Sequence, residues 1–193
     1  MKKIFKAVEL NQLTTETCHQ LLEWRNQEFV RSNMYSQEEI SLEEHLAYLE
    51  KIRQDKQRGI YVFYLDEQPF GIFQYMIEAS GNYAVPGNYL IKEEYSEFGY
   101  GVVLNYFQNE IIFYRLGCNK SVGEVLANNR KALALSKKMS GRIEGTLRQH
   151  IIINGNYNDV VRFGLLKSEW EEKRKKIGDL VFEFVSRDYQ VID

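Results

Sequence analysis

The stretch Gly87-Asn88-Tyr89-Leu90-Ile91-Lys92-Glu93-Glu94-Tyr95-Ser96-Glu97-Phe98-Gly99-Tyr100-Gly101-Val102 decides how this chain is read. It begins as a strand, turns through a short loop with two glycines and enters a helix. The free N–H groups of a first helical turn point outward, and the helix dipole favours an anion there. A strand–turn–helix of this kind is therefore a place to hold phosphates. Two glycines alone mark no more than a tight turn, so the neighbours decide between the readings.

Downstream, Val103, Leu104, Phe107, Ile111 and Ile112 recur at helical spacing, and the pattern ends near Leu116-Gly117. Residues 120–126 read as a strand, and Asn128-Asn129 as the cap of a helix carrying Ala132, Leu133, Leu135 and Met139. Residues 145–153 and 159–166 form a hairpin around Asn154-Gly155, residues 168–176 a helix, and residues 181–185 a last edge strand or a tail. Upstream, the β-branched and aromatic run 60–65 pairs with 70–77 across the turn Asp66-Glu67-Gln68-Pro69, and Pro86-Gly87 supplies a turn or a bulge before the next strand. Ser41-Leu42-Glu43-Glu44 is a capping box whose helix presents Leu42, Leu46, Leu49 and Ile52 on one face. Thr14 and Thr15 cap an earlier helix, after a first strand at 4–10. The order β-α-α-β-β-β-α-β-α-β-β is an α+β pattern around a mixed sheet.

The bulk numbers exclude several classes. With 193 residues, 44% of them hydrophobic, residues 1–193 read as one domain. A net charge of -2 gives no basic excess for nucleic acid. No run approaches the roughly 20 apolar residues of a membrane span. Cys18 and Cys118 lie far apart without metal-ligand spacing, so they read as free thiols of a cytoplasmic protein. No His/Cys/Asp/Glu cluster has ligand spacing, and no metal is expected.

Several local motifs together resemble the Gcn5-related N-acetyltransferase family. Ser96-Glu97-Phe98-Gly99-Tyr100-Gly101 sits where that family has Arg or Gln, two residues, Gly, one residue, and Gly or Ala; Ser96 replaces the Arg or Gln. Glu124-Val125-Leu126-Ala127-Asn128-Asn129-Arg130-Lys131-Ala132 is similar to its later strand-to-helix segment. The C-terminal motifs Leu147-Arg148-Gln149-His150 and Leu165-Leu166-Lys167-Ser168-Glu169-Trp170 resemble the ribosomal-protein N-terminal acetyltransferase branch. Trp24-Arg25-Asn26, Val30-Arg31, Met34 and Glu43-Glu44-His45 resemble the pseudaminic-acid-pathway branch, which acetylates the 4-amino group of a UDP-linked 4-amino-4,6-dideoxy sugar. Two departures stand out: Ser136 occupies the place of the usual tyrosine acid, and Ser140-Gly141 replaces a Gly-Phe pair.

The resemblance implies a mixed central sheet with a splayed mid-sheet strand, flanking helices and acetyl-CoA as cofactor. Backbone N–H groups of Phe98, Gly99, Tyr100, Gly101 and Val102 would cradle the diphosphate, with Leu90, Ile91, Lys92, Asn129 and Lys138 completing the cofactor site; the oxyanion donor would be the N–H near Ile91. Ser136 would serve the departing thiolate and Glu78 would take a proton from the amine. Trp24, Arg25, Asn26, Arg31, Met34, Tyr35 and His45 would form the acceptor pocket, Arg suiting phosphate by its planar fork. The implied partner is a small-molecule amine, a nucleotide-linked amino sugar, handled by a monomer or homodimer without nucleic acid or membrane. The alternatives are acetylation of a protein N-terminus and a non-enzymatic acyl-CoA-binding protein.

Overall fold

The computed structural model describes residues 2–139 and 141–193. Its strands are β1 (Phe5–Glu9), β2 (Arg58–Leu65), β3 (Gln68–Glu78), β4 (Tyr83–Leu90), β5 (Lys120–Leu126), β6 (Arg142–Ile153), β7 (Asn156–Leu166) and β8 (Gln190–Ile192). They form one sheet in the order β6-β7-β5-β4-β3-β2-β1-β8. The helices are α1 (Thr15–Asn26), α2 (Glu28–Arg31), α3 (Leu42–Gln54), α4 (Tyr100–Glu110), α5 (Arg130–Lys138) and α6 (Lys167–Val181). Local chemistry sets several boundaries. Thr14 Oγ1 caps α1 through the Thr17 N–H, and Ser41 and Glu44 close a capping box on α3. Asp66-Glu67 and Asn154-Gly155 both take positive φ, as a two-residue hairpin loop that follows strand twist requires.

The sheet opens between β4 and β5. These parallel strands pair only at Tyr83↔Lys120 and Ala84↔Ser121. The sequence explains why the ladder stops there. Ile91 donates its N–H to Phe70 O, on the β3 side. The β3–β4 register is unbroken from Glu78↔Tyr83 to Gly71↔Leu90, so by antiparallel alternation the even-numbered residues of β4 turn their backbone groups toward β5. Pro86 is one of them, and it has no N–H to give. Above it β4 and β5 part. Pro86-Gly87 is therefore neither a turn nor a bulge but strand interior, and a Cβ on Gly87 would lie 2.8 Å from the Gln74 amide, which would have to swing aside.

The two faces of the sheet carry separate cores. α4 and α6 pack through Leu104, Phe107, Trp170 and Val181 on Phe5, Phe63, Phe70 and Phe73. α1 and α3 pack through Leu21, Leu49 and Ile52 on Ile60, Val62 and Ile72. Two expectations are corrected. The inward face of α3 is His45, Leu49 and Ile52, whereas Leu42 and Leu46 are 48% and 40% exposed. At about 100° per residue, Leu46 sits about 90° off the stripe that faces β2 and β3, and Leu42 about 50° off it in the first turn. The last strand is β8, parallel to β1, while Val181 and Val185 continue a helical turn with the Val185 N–H on Val181 O.

Candidate active site

The splay opens onto a cleft of about 1420 Å³ between β4, β5, α4, α5 and the segment 27–35. That exceeds the roughly 300–1,000 Å³ of an ordinary small-molecule site and suits a long ligand. At its upper end lies the start of α4. Gly99, at φ 77°, is the N-cap and offers no side chain to the helix. The Val102 N–H is taken by Gly99 O at 2.9 Å, but the N–H groups of Phe98, Gly99, Tyr100 and Gly101 have no partner among the described residues. Four orphan donors at a dipole's positive end make an anion cradle. A Cβ on Gly101 would stand 3.1 Å from Leu135 of α5, so glycine permits the close approach that narrows the cleft there. Lys92 and Lys131 line the same cleft.

The sequence-predicted cofactor residues divide. Leu90, Lys92, Gly99, Gly101, Val102 and Asn129 line the cleft, as does Ser136. Ile91 does not: its N–H is spent on Phe70 O at 3.1 Å and its side chain is buried under α1 and α3. The N–H groups that face the splay are on the other side of the strand, those of Asn88 and Leu90. Phe98 is 66% exposed and Tyr100 packs on Phe70 and Tyr95, so these two contribute main chain only. Lys138 is exposed and off the cleft. Ser140 lies outside the described residues. Glu78 is also misplaced: it pairs with Tyr83, below the opening, and accepts a hydrogen bond from Ser80 at 3.2 Å.

The predicted acceptor residues separate into a pocket and a strap. A small pocket of about 60 Å³ on the α1/α3 face is lined by Arg25, Met34, His45, Gln74 and Tyr89, among others. Met34 and Tyr89 also line the large cleft, so the two spaces share a wall. Arg25 donates through Nη2 to Ser36 O at 3.0 Å, but its buried Nη1 has no partner. Burial lowers its pKa, and nearby Arg31 adds to the effect, against Tyr89, which raises it. His45 is not a phosphate contact through Nε2, which lies 2.8 Å from Cys18 O; a carbonyl can only accept, so Nε2 carries the proton. Trp24 packs against the α1/α3 core.

Asn26 and Arg31 hold backbone. Asn26 bonds both the N–H and the carbonyl of Ile40, at 3.0 and 2.8 Å. Arg31 donates to Asn26 O and Gln37 O at 2.8 and 2.7 Å and pairs with Glu39. They and Arg25 anchor the strap 32–40, which then crosses the splay. Asn129 Nδ2 donates to Asn33 Oδ1 at 2.7 Å, Tyr35 Oη to Glu124 Oε2 at 2.8 Å, and Asn154 Nδ2 to Gln37 Oε1 at 3.3 Å. Glu124, which motif reading treated only as part of a strand, is thus the carboxylate on β5 at the opening. Burial pushes its pKa up, but hydrogen bonds from Arg162 and Tyr35 outweigh this and hold it below the ordinary carboxylate range.

No protein-family model matches the chain. The curated acetyltransferase PseH of Campylobacter jejuni is 29% identical over 140 residues, which cover 68% of this chain and 81% of that protein. Among solved structures, spermidine N-acetyltransferase from Vibrio cholerae in complex with CoA and spermine superposes with a TM-score of 0.78 at 20% identity, over 88% of this chain and 98% of that one. C. jejuni PseH in complex with acetyl coenzyme A superposes with a TM-score of 0.62 at 20% identity, over 85% and 99%. At that identity the structures speak for the fold, which is the Gcn5-related N-acetyltransferase fold. In sequence the chain is similar to one curated acetyltransferase, and in fold to N-acetyltransferases of the Gcn5-related superfamily. The cleft fits the cofactor of that class: an uncapped helix start with four free donors for a diphosphate, and an unpaired strand edge below it for an extended chain bearing amides.

Proposed function

We propose that this acetyl-CoA-dependent N-acetyltransferase acetylates the 4-amino group of a UDP-linked 4-amino-4,6-dideoxy sugar. Bound acetyl-CoA supplies the activated acetyl group; the chain's residues position it and the amine. The start of α4 holds the diphosphate, the open edge of β4 lies along the pantetheine, and the acceptor enters the same large cleft, against the Met34–Tyr89 wall behind which the small α1/α3 pocket lies.

The observation that carries the acceptor reading is Arg25. A guanidinium nitrogen buried without a partner costs free energy unless something bonds it. Arg25 lines a pocket whose other lining residues include Gln74 and Tyr89, while its orphan Nη1 lies enclosed behind that wall. This set offers hydrogen bonds to a sugar or nucleotide oxygen. It repels a polycation, because Arg25 stays charged at any working pH. The pseudaminic-acid-pathway resemblance of Trp24-Arg25-Asn26, Met34 and His45 points the same way, since Arg25, Met34 and His45 meet at this pocket.

The test is thiol release from acetyl-CoA with a UDP-4-amino-4,6-dideoxy sugar, spermidine and short peptides as competing acceptors. The sugar nucleotide is expected to win. Arg25→Gln should lower its kcat/KM by about tenfold or more, the cost of losing a hydrogen bond from a charged donor, while leaving acetyl-CoA affinity unchanged. Faster turnover of spermidine, unaffected or improved in Arg25→Gln, would overturn the reading.

A further inference from the structure

One helix face is buried yet polar. Gly101, Val102, Asn105, Gln108 and Asn109 of α4 line the cleft, at spacing i, i+1, i+4, i+7, i+8. Gln108 and Asn109 are 4% and 3% exposed. A buried stripe at this spacing is normally apolar, and buried amides are normally hydrogen-bonded. Asn105 bonds back to its own helix, Nδ2 to Gly101 O at 2.9 Å. Gln108 differs: its Oε1 accepts from Asn88 Nδ2 at 2.5 Å, which leaves its own NH₂ without a protein partner among the described residues and facing the cleft that it lines.

Asn88 does two things at once. Its side chain fixes Gln108, and its main-chain N–H points into the splay, where β5 no longer pairs with β4. It is also the first residue above Pro86 able to donate in that direction. Gln108 stands about 10 Å down the helix from Gly101 at 1.5 Å per residue, well past the phosphate cradle. Two donors thus belong to one hydrogen-bonded unit, away from the anion end of the cleft.

We propose that Gln108, oriented by Asn88, joins the Asn88 N–H as the donor pair that polarises the carbonyl of the donor thioester. The proposal rests on the acetyl-CoA reading of the cleft. The pair acts on the carbonyl oxygen, a demand separate from the proton that the departing thiolate takes. Preorganised amide donors at a developing oxyanion are worth about 10²–10³ in rate each. Gln108 is then a catalytic residue and the Asn88 side chain a positioning one.

The experiment is isotope-edited infrared spectroscopy of [1-¹³C]acetyl-CoA bound in the absence of acceptor. The carbonyl band should shift to lower wavenumber on wild-type protein, and part of the shift should vanish in Gln108→Met, which keeps the shape and removes the donor. Asn88→Ala should lose a similar part by freeing Gln108, and it keeps the test open if Gln108→Met does not fold. Coenzyme A, which has no acetyl carbonyl, should bind wild type and both variants alike, and kcat should fall about 10²-fold in Gln108→Met. A carbonyl band unmoved by either substitution at full occupancy overturns the proposal. Failure of wild-type protein to bind acetyl-CoA at all would instead sink the cofactor reading.

Discussion

Asn129 starts α5 with one atom and holds the strap with another: its Oδ1 accepts from the Ala132 N–H at 3.0 Å and its Nδ2 donates to Asn33 at 2.7 Å. The helix cap and the cleft's crossing tie are therefore one side chain. An exposed neutral hydrogen bond is worth about 0.5–1.5 kcal/mol, so removing only the tie should loosen the strap without unfolding α5. Asn33→Ala is expected to speed amide exchange in residues 32–37 by about tenfold while the α5 amides stay protected. Strap exchange unchanged from wild type would show that Arg25, Asn26 and Arg31 hold the strap unaided.

Gly101 separates α4 from α5. Its absent Cβ would be 3.1 Å from Leu135 Cδ2, a flexible atom that can yield to one methyl but not to a branched side chain. Gly101→Val should lower acetyl-CoA affinity by at least tenfold in calorimetry, with the thermal midpoint little changed. Unaltered affinity would remove the phosphate cradle from the start of α4.

Much of this was legible in the residues. The Ser41–Glu44 capping box, the Asn-Gly hairpin and the amphipathic run after Gly101 are local signals, and the structure realises each. The glycine turn carried little alone and gained meaning from the strand and helix on either side. What was not legible depends on direction. Whether an N–H of β4 faces β3 or the splay alternates with residue number, so naming Ile91 instead of Asn88 reverses the donor's side. Glu78 looked suitable by type, but its place at the paired end of β3 is a property of sheet register. Asn26 and Arg31 looked like substrate ligands because polar residues beside a helix end can bind either backbone or substrate. One signal was available and unread: Asn105, Gln108 and Asn109 form a polar stripe along a helix whose other positions, Glu110 at its end excepted, are apolar, aromatic or glycine.

Ser136 gives a test by magnitude. It lines the cleft, and its carbonyl accepts from the Gly141 N–H at 2.9 Å, a bond that Ser136→Ala retains. A general acid contributes about 10²–10⁴ in rate. A hydroxyl that only donates or relays a hydrogen bond contributes far less. Ser136→Ala should lower kcat by less than about tenfold. A loss of 10² or more would restore Ser136 as the acid.

His45 makes the fold sensitive to acid. It is 6% exposed, lies between α3 and α1, and gives its Nε2 proton to Cys18 O. Burial lowers its pKa from the ordinary 6.5, partly offset by that carbonyl, while His19 lowers it further. The unfolded chain thus binds a proton at higher pH than the folded one. Stability from neutral His45 is complete above the unfolded value and declines as pH falls through 6.5 toward the folded value. Each unit of difference between the two is worth 1.36 kcal/mol. Urea midpoints measured from pH 7.5 to 5 should fall more steeply for wild type than for His45→Gln, whose amide keeps a donor but does not titrate over that range. The variant should start lower at pH 7.5, since glutamine fills the site less well, and converge on wild type as the pH drops. Parallel slopes would assign the acid sensitivity to other groups and leave His45 a packing residue alone.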